Sequence, residues 1–265
     1  MQSLNDFYQL TDSQIAFYAE HGCIKLKNVL TADDLAYYGA EITRKVKELN
    51  TIQIPMEERS TYQKAFLQVT NLWRQSDVAR EFVFSKKLAG IAAQLMQVKG
   101  VKLYHDQALY KEPSGGITPW HADQFYWPLA TDKCVTVWAP LQQTPIEMGA
   151  LEFSMKSQHF TYGRDLPISD ESEVKIQNAL AEQGFELLRE PFDLGEVSFH
   201  AGWTFHRAGP NITQSPRAVM TVIYMDADMT LKSPDNDAQK IDWDAFCPGA
   251  KIGEIINTEL NPVLY

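Results

Sequence analysis

Val101-Lys102-Leu103-Tyr104-His105-Asp106-Gln107-Ala108-Leu109 is where the chain changes its period. Val101, Leu103, His105, Gln107 and Leu109 alternate with other residues, and period two puts i and i+2 on one side of a pleated strand. A half-buried strand is expected here. Further strands are expected over Val135 to Leu141, Ala150 to Ser154, Val197 to Phe199 and Ala218 to Met225. Turn residues separate them: Pro113-Ser114-Gly115-Gly116, Thr144-Pro145, Gly209-Pro210-Asn211 and Ser215-Pro216.

Upstream of residue 100 the pattern is helical. Thr11 opens a T-x-x-Q capping box with Gln14, with Leu10 and Ile15 as a hydrophobic staple. Thr31 opens a second helix with Leu30 and Leu35 as the staple, and Leu35, Tyr38, Ile42, Val46 and Leu49 recur at helical spacing. Ser85 caps a third, whose Leu88, Ile91, Ala92, Leu95 and Met96 share a face. Helices first and short strands after predict a mainly β fold with flanking α-helices, a sandwich or barrel with the helices outside. One domain spanning all 265 residues is expected. It divides into a helical part over about 1–99, a β core over about 100–230 and a tail over about 231–265. Residues 160–192, polar with a helix around Glu171 to Gln183, read as an insertion between strands.

A net charge of −10 opposes binding to a phosphate backbone, so nucleic acid is not an expected partner. No apolar run reaches membrane-spanning length, and the opening MQSLNDFYQL lacks the pattern of a secretory leader. Cys23, Cys134 and Cys247 are too few and too scattered for a disulfide framework or a thiolate metal site. Three thiols suit a reducing cytoplasm, and a homodimer is compatible with the composition.

The chemistry concentrates in Thr118-Pro119-Trp120-His121-Ala122-Asp123. In an extended segment His121 and Asp123 present an imidazole and a carboxylate to one ion. Alone this says little, because six histidines and 34 acidic residues in 265 give about 0.8 chance matches to His-x-acid. The second half is Phe205-His206-Arg207-Ala208-Gly209-Pro210-Asn211, followed by Pro216-Arg217. His206 is expected to end one strand and Arg217 to begin the next alongside it. Two histidines and a carboxylate on one face of an iron leave three positions open, enough for a bidentate 2-oxo acid and dioxygen. An arginine nearby can clamp the acid's far carboxylate.

These motifs resemble the phytanoyl-CoA dioxygenase family. The resemblance rests on DQALYKEPSGG, PWHADQFYWPL, VTVWAPLQQTPIEMGALEF and KSQH between Asp106 and His159, and on GEVSFHAGWTFHRAGPNITQSPR toward the C-terminus. It implies a double-stranded β-helix, also called a jelly roll or cupin-like fold, with iron(II) at His121, Asp123 and His206. It implies Arg217 on the distal carboxylate of 2-oxoglutarate, and Gln107 and Trp138 lining the co-substrate pocket. The implied activity is that of a 2-oxoglutarate-dependent dioxygenase. With O2 it hydroxylates an unactivated C–H bond of a small metabolite or natural-product intermediate and releases succinate and CO2. Related halogenases replace the carboxylate at this position with a small residue, so Asp123 favours hydroxylation. Two departures are local: Met148 stands where the family commonly has Asn, and Lys156-Ser157-Gln158-His159 where a Pro-Gly-Ser-His type sequence is usual.

Phe125 shares parity with His121 and Asp123, so it is expected on the substrate pocket, together with Trp127. Arg164 in the insertion is a candidate contact for an anionic substrate group. His105, His159 and His200 read as structural or supporting residues, with His200 near enough to His206 to hydrogen-bond beside the site. His21 reads as a helix-end residue. Two rival readings stand beside the oxygenase: a zinc hydrolase or metal-dependent isomerase on a cupin-like barrel, and a non-enzymatic small-molecule binding module.

Overall fold

A computed structural model describes residues 3–265, so the first two residues of the stretch read for a leader lie outside it. The elements, in chain order, are α1 (Asp12–His21), β1 (Cys23–Leu26), α2 (Ala32–Leu49), α3 (Thr61–Ala65), β2 (Leu67–Thr70), α4 (Asp77–Val83), α5 (Lys86–Met96), β3 (Val101–Lys111), β4 (Thr118–His121), β5 (Cys134–Pro140), β6 (Leu151–Ser154), α6 (Asp170–Glu182), β7 (Leu187–Arg189), β8 (Val197–Ala201), β9 (His206–Ala208), β10 (Arg217–Asp226) and α7 (Asp237–Phe246). The capping boxes at Thr11 and Thr31 are formed, and the Ser85 hydroxyl accepts from the Leu88 amide. The part before residue 100 is not wholly helical, since it also supplies β1 and β2.

The strands form two antiparallel sheets, a major one ordered β1-β8-β5-β10-β3-β2 and a minor one ordered β4-β9-β6-β7. This is a double-stranded β-helix with flanking helices. Leu35, Tyr38, Ile42 and Val46 of α2 and the apolar face of α5 pack on the outer face of the major sheet, against Val137, Ala139, Met220 and Val222. Helices outside and the minor sheet inside leave β3 nearly buried on both faces, so it is not the half-buried strand its alternation suggested.

A β-bulge decides which β3 residues face inward. His105 pairs with Ile223 and Leu103 with Tyr224, leaving Tyr104 as the extra residue. Val101 and Leu103 therefore join the outer core, whereas Tyr104, His105, Gln107 and Leu109 turn inward. The five residues that alternate in sequence do not share one face. The insertion reaches the cavity only near Ile168, which lines it and donates its amide to the Tyr126 hydroxyl, while its helix packs elsewhere. Ile176 and Leu180 of α6 pack on Trp120, Ala122 and Phe205, forming a layer behind the minor sheet. Among the described residues no helix is long and apolar enough to cross a membrane.

Candidate active site

A cavity of about 290 Å³ opens between the two sheets. Its floor is built by β4 and β9, which place His121 and His206 directly opposite one another in register. The two rings lie 4.2 Å apart, centre to centre. Each ring is held by its Nδ1 atom, His121 on Pro119 O at 2.7 Å and His206 on Thr204 O at 3.0 Å. A carbonyl accepts only, so Nδ1 carries the proton in both rings and each Nε2 keeps a lone pair. Both Nε2 atoms stand 3.6 Å from Asp123 Oδ1.

Asp123 reaches this position because Ala122 is extended, and the chain then turns into a 3-10 segment over Asp123–Phe125. Its other oxygen, Oδ2, accepts from Thr136 Oγ1 at 2.9 Å and lies 3.1 Å from His200 Nε2. The division leaves Oδ1 facing the two imidazoles and ties Oδ2 to the major sheet. Burial raises the Asp123 carboxyl, but the imidazoles of His206, His121 and His200 outweigh it and hold the group well below the usual carboxylate range. Burial depresses His206 well below its ordinary value, and His121 and His200 add to the effect. A deprotonated carboxylate and a neutral imidazole are the forms that bind a metal. Two donors each about 2.1 Å from an ion lie at most about 4.2 Å apart, so the 3.6 Å spacings suit a single ion.

Arg217 lies across the cavity from the triad. It opens β10 in the major sheet, whereas His206 opens β9 in the minor sheet. The expected side-by-side pair with His206 ending its strand is therefore corrected: the chain crosses between sheets, and the two residues meet face to face across the cavity. The guanidinium is buried, donates from Nη1 to Gly149 O at 2.6 Å and sits 5.3 Å from the Trp138 ring centre. Its Nε has no hydrogen-bond partner, and no carboxylate lies within ion-pair distance among the described residues. Burial pulls its pKa down to about 9. Lys111 faces Arg217 across the β3–β10 register and bonds to Gly116 O. Burial, with Arg217 beside it, drives Lys111 down to about 6.

Gln107 and Trp138 line the cavity between Arg217 and the triad. Gln107 Oε1 accepts from Gln68 Nε2, and Gln68 Oε1 accepts from the Tyr62 hydroxyl at 2.8 Å, a chain of bonds running from the mouth inward. Trp127 also lies on the wall, next to Tyr126. Phe125 does not. The 3-10 turn after Ala122 breaks the parity that was expected to aim it inward, and it is buried outside the cavity. Arg164 is likewise off the wall: it bonds to Phe160 O and Gln158 O, and its guanidinium stacks 4.4 Å from Trp203.

His105 lines the cavity and stacks on Phe246 at 3.9 Å, while His159 is exposed on a 3-10 turn. His21 ends α1, and Gly22 supplies the left-handed cap. At the first family departure, Met148 closes a short 3-10 turn and the following Gly149 still offers its carbonyl to Arg217. At the second, Ser157 Oγ donates to Ser154 O and accepts from Phe205 N, tying β6 to the approach to His206.

The sequence reading did not find Lys111, Tyr62, Gln68, Thr70, Ile241, Asp242 or Phe246 at or beside the site. For Lys111 a signal existed, because it keeps the inward parity of Gln107 and Leu109. The others come from α3, β2 and α7, whose placement over the mouth is a tertiary matter.

The model of the phytanoyl-CoA dioxygenase family matches residues 18–219. The chain belongs to this family. Its members' reading as 2-oxoglutarate-dependent non-haem iron dioxygenases holds for it, with iron and 2-oxoglutarate as cofactor and co-substrate. The zinc hydrolase and the non-enzymatic binding module are thereby set aside. A probable alpha-ketoglutarate-dependent hypophosphite dioxygenase of Stutzerimonas stutzeri is 25% identical over 228 residues, 80% of this chain and 77% of that protein. Among solved structures, the epimerase SnoN in complex with Fe3+, alpha ketoglutarate and nogalamycin RO has a TM-score of 0.79 at 24% identity, covering 96% of this chain and 98% of that one. EctD from S. alaskensis with 2-oxoglutarate and 5-hydroxyectoine has a TM-score of 0.73 at 17% identity, covering 97% and 92%. These two likenesses concern the fold.

Proposed function

We propose that His121, Asp123 and His206 hold the iron and that Arg217 pairs with the distal carboxylate of 2-oxoglutarate. We further propose that the enzyme hydroxylates an unactivated C–H bond of a small metabolite or natural-product intermediate. The supporting observation is the pairing of two incomplete features in one cavity: three metal donors converging from β4, the 3-10 segment after it and β9, and a buried arginine without a counter-ion opposite them. A buried cation with no anion is costly unless a ligand supplies one.

Iron, once bound, supplies the activation of dioxygen that side chains lack. The chain's own residues do the rest. The Pro119 and Thr204 carbonyls fix the two imidazole tautomers. Thr136 and His200 hold one oxygen of Asp123 so that only the other faces the metal position. Arg217 offers Nε and its remaining N–H groups to a carboxylate, and Trp138 gives the acid a flat wall. The rings of Tyr126, Trp127 and Phe246 exclude water near the reacting bond. In the balanced reaction one oxygen atom of O2 enters succinate and the other enters the product. The three buried, unpaired thiols support a reducing compartment, and we place the enzyme in the cytoplasm.

Incubation with iron(II), 2-oxoglutarate and 18O2 tests the reading. Labelled succinate is expected from the wild type, none from Asp123→Ala and much less from Arg217→Ala. Undiminished labelled succinate from Asp123→Ala would remove the carboxylate from the ligand set.

A further inference from the structure

One carboxylate on the cavity wall has no part in holding iron or 2-oxoglutarate. Asp242 lies on α7, the helix that crosses the mouth and lines it with Ile241, Ala245 and Phe246. No lysine, arginine or histidine is within ion-pair distance of it among the described residues. Its surroundings are rings. Tyr104 lies beside it, in edge contact with Trp127 at 5.7 Å and Phe246 at 5.8 Å, and Tyr62 and Tyr126 are close enough to feel its charge. The buried Tyr104 hydroxyl is directed at the Asp242 carboxylate, a neutral neighbour that leaves it without a cation.

The charges of the loaded site leave Asp242 over. Iron(II) and Arg217 carry three positive charges. Asp123 and the two carboxylates of 2-oxoglutarate carry three negative ones. His105 is neutral, because burial pushes it down to about 4. Lys111, driven to about 6, brings no full charge at neutral pH. Among the described residues, the one carboxylate then left over on the cavity wall is Asp242, and a cation bound beside it would favour its charged form. We infer that Asp242 is the anchor for a cationic substrate, one bearing a protonated amine or quaternary ammonium beside an apolar ring or chain that packs on Tyr62, Tyr126, Trp127 and Phe246. A carboxylate among aromatic faces suits such a cation, since both attract it and the rings replace its water at low cost.

Burial pushes the Asp242 carboxyl up to about 7, with the Tyr104 hydroxyl opposing and Asp123 reinforcing, as expected for a carboxylate that lacks a cationic partner. Ile241, 68% exposed next to Asp242, is an apolar contact that a substrate would cover. The same arrangement disfavours acyl phosphates, sulfates and free acids, which would bring a second anion against Asp242 and Asp123.

The inference rests on 2-oxoglutarate taking Arg217, so the test reads the two separately. The protein is loaded with iron(II) and 2-oxoglutarate without oxygen, and formation of the visible charge-transfer band is recorded first. Phenethylamine, 2-phenylethanol and 3-phenylpropionate, which share a skeleton and differ in the head group, are then titrated against tryptophan fluorescence. The amine is expected to bind about tenfold or more tighter than the alcohol, and the acid weakest. Asp242→Asn should keep the band and bring amine and alcohol to equal affinity. A band with no preference for the amine, no binding of the amine at all, or a preference that survives Asp242→Asn overturns the inference and leaves the co-substrate site standing. Absence of the band in the wild type overturns both.

Discussion

Replacing Arg217 by methionine should make the protein more stable without 2-oxoglutarate and remove most of the stabilisation that 2-oxoglutarate gives the wild type. Burial alone depresses the arginine from its ordinary range to about 9. A displacement of that size corresponds to roughly 5 kcal/mol of unfavourable desolvation, taken as an order of magnitude. The unfolded chain binds the proton more tightly than the folded one. Stability therefore rises with pH only above about 9, and the whole cost is present at neutral pH. Against it stand the Gly149 carbonyl, left unpaired in the variant at about 1–3 kcal/mol, and the lost Trp138 contact at about 0.5–1 kcal/mol. The net expectation is a gain of roughly 1–3 kcal/mol for Arg217→Met, in line with other buried charges replaced by apolar groups. Saturating 2-oxoglutarate at about 100 times its Kd adds about 2.7 kcal/mol to the wild type and far less to the variant, which binds the acid more weakly. Urea unfolding of the metal-loaded proteins, with and without the co-substrate, reads both terms. A variant destabilised by more than about 1 kcal/mol in the absence of 2-oxoglutarate, or stabilised by it as much as the wild type, would refute the reasoning.

Three further outcomes follow from the geometry. The double variant Thr136→Val, His200→Phe frees Asp123 Oδ2, and competition with a chelator should show metal affinity lower by about 10–100-fold with the fold intact. Gly149→Ala places a side chain on a residue at φ 80° with its Cβ 2.6 Å from Gly209 O; thermal melting should show a loss of about 2 kcal/mol or more, and 2-oxoglutarate affinity should fall because the same residue's carbonyl holds Arg217. Lys111, depressed to about 6, weakens the fold most at low pH, so the stability of the wild type relative to Lys111→Met should rise as pH increases from about 6 toward about 10; a flat difference would mean the amine is not desolvated.

Much of this was legible along the chain. The caps at Thr11, Thr31 and Ser85 lie where local hydrogen bonding demands them, because a cap is decided within four residues. The strands around 101, 135, 151, 197 and 218 follow from alternation, and His121, Asp123 and His206 from their motifs. Where the reading failed, a non-local fact intervened. Tyr104 is a bulge set by its pairing with β10, so parity along β3 slips by one residue. Phe125 loses its parity where the chain leaves the extended region after Ala122. His206 and Arg217 were expected in one hairpin, but the turn between them carries the chain from one sheet to the other. Asp242 and Tyr62 carry no motif, since α7 and α3 reach the cavity only through packing at the end of long sequence separations.

The most direct test of the account is an anaerobic visible titration of the apo-protein with iron(II) and then 2-oxoglutarate. A weak metal-to-ligand charge-transfer band is expected on adding the acid, absent with zinc and weakened in Arg217→Ala. A folded, iron-loaded protein that gives no band would contradict the placement of iron at His121, Asp123 and His206 with 2-oxoglutarate on Arg217.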